Sequence, residues 1–286
     1  QQEAEALKSG ALATPVGYDW DGDGDIDLLT GNTAGYIDFF ENLSGPGVES
    51  PRWAAPRQIQ VNGQPYRMMA GPNGSIQGPA EAKWGYSCLS VADWDGDGLP
   101  DIITNGIWGR IEWLRNLGPR ENPKLAAPAS IEITWGDTQP AKPAWMWWTP
   151  KPNELVTQWR TTPMAVDWNE DGLMDLVMLD HEGYLSLYPR SKAGDALVLN
   201  PPQRVFFDAK GQMRLNGGRA GGSGRRKLCI TDWDGDGKLD ILANSTSANL
   251  LKQVSSEAGH WTFEDCGPLV KQNIQGHSTS PTVVDF

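Results

Sequence analysis

The stretch that decides the fold is TDWDGDGKLDIL, residues 231–242, in which an acidic, glycine-rich turn runs directly into apolar residues. The same pattern occurs three more times, as DWDGDGDIDLL from residue 19, DWDGDGLPDII from residue 93 and DWNEDGLMDLV from residue 167. A motif that recurs along a chain is the signature of a repeat architecture, so the same explanation has to apply to all four copies.

Each copy has the same surroundings. A short segment such as SVAD or MAVD precedes the turn, and an apolar segment, a short loop and an alternating segment follow it. This order predicts an antiparallel meander of short strands. We therefore expect an all-β protein, a β-propeller of four-stranded antiparallel blades that forms a single domain over residues 1–286. The repeats are expected to begin near residues 14, 87, 161 and 227, with an incomplete fifth near residue 280 at SPTVVDF.

Four blades and part of a fifth would leave open sheet edges, which soluble proteins avoid. We therefore expect a partial or truncated ring of seven to eight blades. The sequence contains no apolar run of the roughly 20 residues needed to cross a bilayer. The three cysteines, Cys88, Cys229 and Cys266, form neither a CxxC pair nor an even disulfide framework and do not decide the compartment.

The charge of the chain is unevenly distributed. The formal net charge is −12, with 36 acidic and 24 basic residues. Fifteen of the acids lie at positions one, three, five and nine of the four turns, so the remainder of the chain is slightly basic. We expect cations at the turns, and an acidic net charge that opposes phosphate argues against nucleic acid as a partner.

A D-x-D-x-D-G-x-x-D turn offers hard oxygen ligands, which suit calcium. Magnesium requires tighter octahedral geometry, and zinc favours His or Cys, which the turns lack. Position twelve is Thr30, Thr104, Met178 or Ala243 instead of an acid, which excludes an EF-hand. Asp-Gly turns also form without an ion, but four identical spacings favour about four structural Ca²⁺ sites. The predicted ligands, counting position seven through its carbonyl, are Asp19, Asp21, Asp23, Asp25, Asp27, Asp93, Asp95, Asp97, Leu99, Asp101, Asp167, Asn169, Asp171, Leu173, Asp175, Asp232, Asp234, Asp236, Lys238 and Asp240.

These repeats resemble the FG-GAP or VCBS family, whose members form calcium-bearing β-propellers, as in the integrin α-subunit head. The resemblance covers nearly the whole chain through the calcium motif. It implies little about chemistry, because the family includes adhesion modules, lectin-like domains and propeller enzymes such as rhamnogalacturonan lyases.

In a meander the acidic turns lie at one end of each blade, and the loops that precede the inner strands lie at the other. Loops of this second end are basic and aromatic. The residues predicted to bind a ligand there are Lys83, Trp84, Trp108, Gln158, Trp159, Glu182, Arg225 and Arg226. Arginine forks bind carboxylates, so the expected ligand is an acidic polysaccharide containing uronate. Trp145, Trp147 and Trp148 would wall a cleft, whereas Trp20, Trp94, Trp168 and Trp233 are expected to pack between blades.

Two functions from different classes remain open. A polysaccharide lyase would use Arg160, Arg225 or Arg226 to neutralise the uronate, His181 or His277 as base or acid, and Tyr86 to protonate the leaving oxygen. A hydrolase has fewer suitable carboxylates, namely Asp180 and Glu182. The alternative is a non-catalytic module that binds glycan or a protein partner, and a purely structural role is the third reading. Because weak calcium sites fill at extracellular concentrations, we expect a secreted protein, extracellular or periplasmic.

Overall fold

The computed structural model describes residues 7–75, 77–143, 146, 148–217, 224–257, 259–272 and 279–284. Over these ranges the regular structure consists of β-strands and one short 3₁₀ turn, Pro79–Glu81, and α-helix is absent. Within the same ranges, no helix is long and apolar enough to cross a membrane. The predicted all-β class is confirmed.

The first two blades are four-stranded antiparallel sheets, as predicted. The strands of the first blade, in spatial order, are β1 (Thr14–Tyr18), β2 (Asp27–Gly31), β3 (Ile37–Phe40) and β4 (Arg57–Gln58). A small ribbon follows, made of β5 (Gln60–Val61) and β6 (Gln64–Pro65). The strands of the second blade are β7 (Cys88–Ala92), β8 (Asp101–Asn105), β9 (Glu112–Leu114) and β10 (Ala129–Ser130).

The third and fourth blades depart from the predicted four strands. The third sheet has three, β11 (Met164–Val166), β12 (Asp175–Leu179) and β13 (Leu185–Tyr188). In place of the expected fourth strand, a single antiparallel bridge joins Leu187 to Gln203. The chain between these two residues forms a separate hairpin of β14 (Arg190–Ala193) and β15 (Ala196–Leu199). The fourth sheet has six strands, in the order β17 (Gly211–Gln212), β16 (Phe206–Asp208), β21 (His260–Pro268), β20 (Ala248–Glu257), β19 (Asp240–Asn244) and β18 (Leu228–Thr231).

One pairing in the fourth sheet is parallel. Strand β16 comes from the connection after the third blade and pairs with β21, matching Phe206 with Trp261. Every other pairing in the four blade sheets is antiparallel over the described residues. This pairing joins the third and fourth blades by main-chain hydrogen bonds.

The inner strands of all four blades face one central cavity of about 170 Å³. Residues 280–283 line it as well, and the side chain of Val284 lies against Gly17 of β1. The four blades thus surround a common axis, which confirms the propeller arrangement. A total of seven to eight blades stays a prediction.

The exposure of the tryptophan at position two of each turn shows whether this side chain packs between neighbouring blades. Trp20, Trp94 and Trp168 are only 3–4% exposed. Trp94 lies under the guanidinium of Arg190 from the following blade, 3.8 Å from the ring centroid, and Trp168 meets Phe206 edge to face at 4.9 Å. Packing between blades is confirmed for these three. It is wrong for Trp233, which is 43% exposed because it belongs to the last of the four described blades.

Candidate functional site

The acidic turns are shaped by hydrogen bonds from the main chain to the first aspartate. In the second turn, Asp93 accepts from the N–H groups of Gly96, Asp97 and Gly98 at 2.8–3.0 Å. Asp232 repeats all three bonds in the fourth turn. The backbone can present these groups because Gly96 and Gly98 adopt φ of 77° and 88°, a region that glycine enters without strain.

This geometry gathers the carboxylates of positions one, three and five. In the first, second and fourth turns, one ligand oxygen from each of the three lies within 4.8 Å of the others. The third turn has Asn169 at position three, and its side-chain oxygen accepts from the Asp171 N–H at 2.9 Å. At position seven the N–H donates to the position-five carboxylate in every turn. Coordination by the position-seven carbonyls of Asp25, Leu99, Leu173 and Lys238 stays a prediction.

Position nine has a structural task in all four copies. Asp101 is fully buried, and its two oxygens accept from the N–H groups of Trp94 at 3.3 Å and Asn116 at 2.7 Å. Asp27 and Asp175 accept from the equivalent N–H just beyond the third strand, and Asp240 accepts from the Gln253 N–H within β20. These bonds fasten the turn to the third strand. Burial raises the pKa of Asp27 to about 7 and those of Asp101 and Asp175 to about 6.

The turns fit a hard divalent cation. The oxygens Asp21 Oδ1 and Asp95 Oδ1 are buried without a hydrogen-bond partner, which is costly for a carboxylate. Basic side chains compensate part of the charge, among them Arg120 beside Asp19 at 3.2 Å and Arg115 beside Asp95 at 2.6 Å. Oxygen ligands on glycine-rich turns are what calcium takes, so the residues present agree with the predicted ion.

The opposite end of the blades contains a buried polar network centred on Glu81. This side chain accepts from the Tyr86 hydroxyl at 2.9 Å and from the Arg160 guanidinium at 3.1 and 3.3 Å, and it also bonds Ser75. With its side-chain amide in the flipped orientation, Gln77 donates to Glu81 Oε1 at 3.0 Å and accepts from Arg225 Nη2 at 3.1 Å, so that it links the two side chains. Glu81 and Arg160 are 2% and 3% exposed. The arginine expected to bind a ligand carboxylate therefore binds one supplied by the chain.

Aromatic rings enclose this network. The Arg160 guanidinium lies 3.2 Å from the Tyr86 ring centroid and 4.2 Å from that of Trp159. Trp84 contacts Tyr86 edge to face at 5.6 Å while remaining 41% exposed. Burial raises the pKa of Tyr86 to about 12 and lowers that of Arg160. The phenolic proton is thus held by Glu81 inside the protein.

A repeated backbone feature places these side chains. Leu12, Tyr86, Arg160 and Arg225 each stand seven residues before the first aspartate of a turn, and each has φ between 52° and 69°. Residues other than glycine seldom adopt this left-handed conformation. Its recurrence at four equivalent positions directs the chain into each inner strand in the same way.

The remaining predicted ligand residues are dispersed. Gln158 is buried and accepts from Asn216 at 2.6 Å, and Arg226 donates to the carbonyls of Leu215 and Asn244. Lys83 is exposed, and the Trp108 indole N–H donates to the Met69 carbonyl at 2.9 Å. The structure thus collects Trp84, Tyr86, Trp159, Arg160 and Arg225 around Glu81, and gives Gln158 and Arg226 other partners.

Tyr86, the candidate leaving-group acid, belongs to this network, whereas the two histidines considered for acid–base chemistry lie apart from it or outside the described residues. His181 and Glu182 are on the β12–β13 loop, where Arg204 forms ion pairs with Glu182 and Asp180. One arginine therefore holds both carboxylates that a hydrolase would need. The described residues do not include His277, Trp145 and Trp147. Trp148 is buried, and its indole N–H donates a hydrogen bond to the Trp108 carbonyl.

Glu81 was not among the residues predicted from the sequence. The available signal was an acid within the loop QGPAEAKWGYSC, which is otherwise neutral or basic and leads to an inner strand. A carboxylate in such a loop is a natural counter-ion for the arginines of neighbouring loops.

The comparison with family models agrees with the repeats seen in the fold. The model of the FG-GAP-like repeat matches residues 167–243. No curated protein matches the chain. Among solved structures, an Agrocybe aegerita lectin described as recognising non-reducing terminal N-acetylglucosamine is 16% identical, with a TM-score of 0.41 over 88% of this chain and 51% of that one. The Photorhabdus luminescens Tc holotoxin pore is 14% identical, with a TM-score of 0.40 over 94% of this chain and 12% of that one.

The chain therefore spans about half the length of the lectin chain and about an eighth of the toxin chain. The matched residues 167–243 contain the third and fourth acidic turns and the strands between them. Residues 167–243 thus match the FG-GAP-like repeat, and the described residues of the chain form four blades of a β-propeller.

Proposed function

We propose that this protein is a secreted, calcium-stabilised recognition module, extracellular or periplasmic, that binds an acidic glycan at the loop end of its blades. The observation that carries the proposal is Trp84, a large aromatic side chain left 41% exposed beside an arginine-containing network. Flat aromatic faces pack against the C–H surfaces of sugar rings, and the neighbouring cations favour a carboxylate on the ligand.

Several exposed groups support this surface. Met69, next to Trp84 through the Ala70 N–H bond to the Trp84 carbonyl, is 44% exposed. Lys83 is exposed and Arg225 is half-buried. This combination of apolar faces with a few convergent polar groups is typical of ligand sites. Calcium is assigned to the opposite end, where it would hold the turns and leave this surface free.

Binding is favoured over elimination by the partners of the candidate catalytic groups. Tyr86 donates to Glu81, and Arg160 is ion-paired with the same carboxylate. A leaving-group acid needs a proton that it can transfer near neutral pH, and burial raises the Tyr86 pKa to about 12. A lyase activity would generate unsaturated sugars, whose ultraviolet absorbance provides a direct control in the binding assays.

The test replaces Trp84 by alanine and measures binding of a galacturonate oligosaccharide by calorimetry. We expect an affinity at least about fivefold lower, corresponding to about 1 kcal/mol for a lost aromatic contact. Trp233→Ala is the matched control, because Trp233 is 43% exposed but belongs to the acidic-turn end. Equal losses in both variants, or none in either, would remove the loop end as the binding surface.

A further inference from the structure

A cavity of about 360 Å³ lies at the loop end of the fourth blade. It is bordered by residues 208–215, which follow the third blade, and by the loop that joins β19 to β20. The buried apolar side chains of Met213, Leu251 and Phe263 form part of its lining. A cavity of this size that combines apolar walls with a few polar groups is typical of a small-ligand site.

Arg226 presents its guanidinium at the wall of this cavity. Its Nε donates to the Leu215 carbonyl at 2.8 Å and its Nη1 donates to the Asn244 carbonyl at 3.0 Å, and all three residues line the cavity. These two main-chain carbonyls fix the orientation of the guanidinium. Its Nη2 group has no hydrogen-bond partner in the described part of the chain, which leaves that group to bind a ligand.

Arg226 lacks the counter-ion that other partly buried arginines have. Arg160 pairs with Glu81 at 3.1 Å, and Arg204 pairs with Asp180 at 2.6 Å. No carboxylate among the described residues pairs with Arg226, and burial lowers the pKa of Arg226 without a nearby negative charge to offset the effect. A charge that is removed from water without a partner is costly. The cavity wall therefore favours an anion that comes from outside the chain.

The charges around the cavity favour an anion with a single negative charge. Three cations line it together with two carboxylates, so their net charge is +1; the cations are Lys210, Arg214 and Arg226, and the carboxylates are Asp208 and Asp265. One carboxylate would neutralise this charge, whereas a phosphate ester carries about −1.5 to −2 at neutral pH. Guanidinium groups also match carboxylates in hydrogen-bond geometry.

We propose that one uronate residue of the acidic glycan binds in this cavity, with its carboxylate on the guanidinium of Arg226. This inference rests on the proposed glycan binding and names the residue that binds the acidic group of the ligand. Arg160 is unsuited to that task, because it is already paired with Glu81.

The cavity is connected to the surface around Trp84. Arg225, which precedes Arg226 in the chain, is linked through Gln77 to Glu81. Glu81 belongs to the same network as Tyr86, the ring that Trp84 contacts. Two consecutive arginines thus serve the network and the cavity, one each.

The experiment compares two ligands by calorimetry, a galacturonate oligosaccharide and the neutral galactose oligosaccharide of equal length. Arg226→Gln should lower the affinity for the galacturonate oligosaccharide at least about tenfold, the loss expected for a charge-assisted hydrogen bond. Its affinity for the neutral oligosaccharide should stay unchanged. Arg52→Gln is the matched control, because Arg52 also donates to a main-chain carbonyl, that of Leu43 at 3.3 Å, but lies at the acidic-turn end. It should change neither affinity.

A second variant tests the cavity without removing the hydrogen bonds of Arg226. Ser245 lines the cavity next to Asn244, whose carbonyl accepts from Arg226. Ser245→Asp therefore adds an internal carboxylate near the guanidinium, and it should weaken binding of the galacturonate oligosaccharide while leaving binding of the neutral one unchanged.

The outcomes separate this inference from the function on which it rests. If the wild type binds neither oligosaccharide, the proposed recognition function is overturned together with the uronate site. If Trp84→Ala weakens binding but Arg226→Gln and Ser245→Asp do not, glycan binding stands and the cavity is refuted as the uronate site. Equal losses for the acidic and the neutral oligosaccharide would also refute it, because Arg226 would then act through the fold. Tighter binding of galactose 6-phosphate than of galacturonate, abolished by Arg226→Gln, would assign the cavity to a phosphate ester and overturn the uronate.

Discussion

At the scale of single residues, Glu170 has an unfavourable backbone conformation. It stands at position four of the third turn with φ of 60°, whereas the equivalent residues Gly22, Gly96 and Gly235 are glycines with φ of 73–81°. The left-handed region costs a residue with a Cβ atom about 1–2 kcal/mol. The third turn therefore carries a strain that its three counterparts avoid.

Glu170→Gly should stabilise the protein by about 0.5–1 kcal/mol, since relief of the strain exceeds the entropy that glycine adds to the unfolded chain. The free energy of unfolding from urea denaturation measures the change. Glu49→Gly is the control, because Glu49 is exposed but lies outside the left-handed region, and it should bring no gain. A loss of stability in Glu170→Gly would mean that the turn does not store this strain.

At the scale of elements, the ion pair between Glu81 and Arg160 joins the connection before β7 to the loop before β11. Removing one member of a buried pair typically costs about 3–5 kcal/mol, because the other charge remains buried and uncompensated. Glu81→Gln and Arg160→Met should each destabilise the protein by an amount in this range. The double variant should lose less than the sum of the single losses, and a thermodynamic cycle of unfolding free energies checks this coupling. Additive losses would show that the two side chains act independently.

The same elements show how far the sequence predicts structure. The strands that flank each acidic turn were predictable because position nine begins the second strand in every copy and fixes its register, as in the pairing of Tyr18 with Asp27. The network around Glu81 was not, because it depends on contacts between segments 79 residues apart, and spacing within one repeat carries no such information. Irregular connections also escaped prediction, so the β14–β15 hairpin and the parallel β16–β21 pair were unexpected.

At the scale of the whole molecule, the proposed calcium binding of the acidic turns predicts that the stability of the fold depends on calcium. A ligand that binds only the folded state stabilises it by about 2.7 kcal/mol per site at a concentration one hundred times Kd. Removal of calcium with a chelator should therefore lower Tm substantially, and calcium should restore it better than magnesium, which requires stricter octahedral geometry. Scanning calorimetry with and without chelator measures the effect. An unchanged Tm would show that backbone and side-chain donors alone hold the turns.

The candidate site at this scale was partly predictable. The concentration of aromatic and basic residues at the loop end followed from the meander topology, and the structure gathers five of them around Glu81. The exposure of these side chains could not be predicted from the topology, because it depends on which neighbouring loop covers each of them. Trp159 is 1% exposed and Trp84 is 41% exposed, although both precede inner strands in equivalent loops.

The parallel pair of β16 and β21 has an evolutionary consequence. Gene duplication can copy a propeller blade as an interchangeable cassette only if its hydrogen-bonded sheet is encoded by one continuous stretch. The fourth sheet includes residues 206–208 and 211–212, which precede the inner strand of that sheet in the chain. A recombination breakpoint between the third and fourth repeats would therefore split a sheet, whereas one between the first and second would leave both sheets whole.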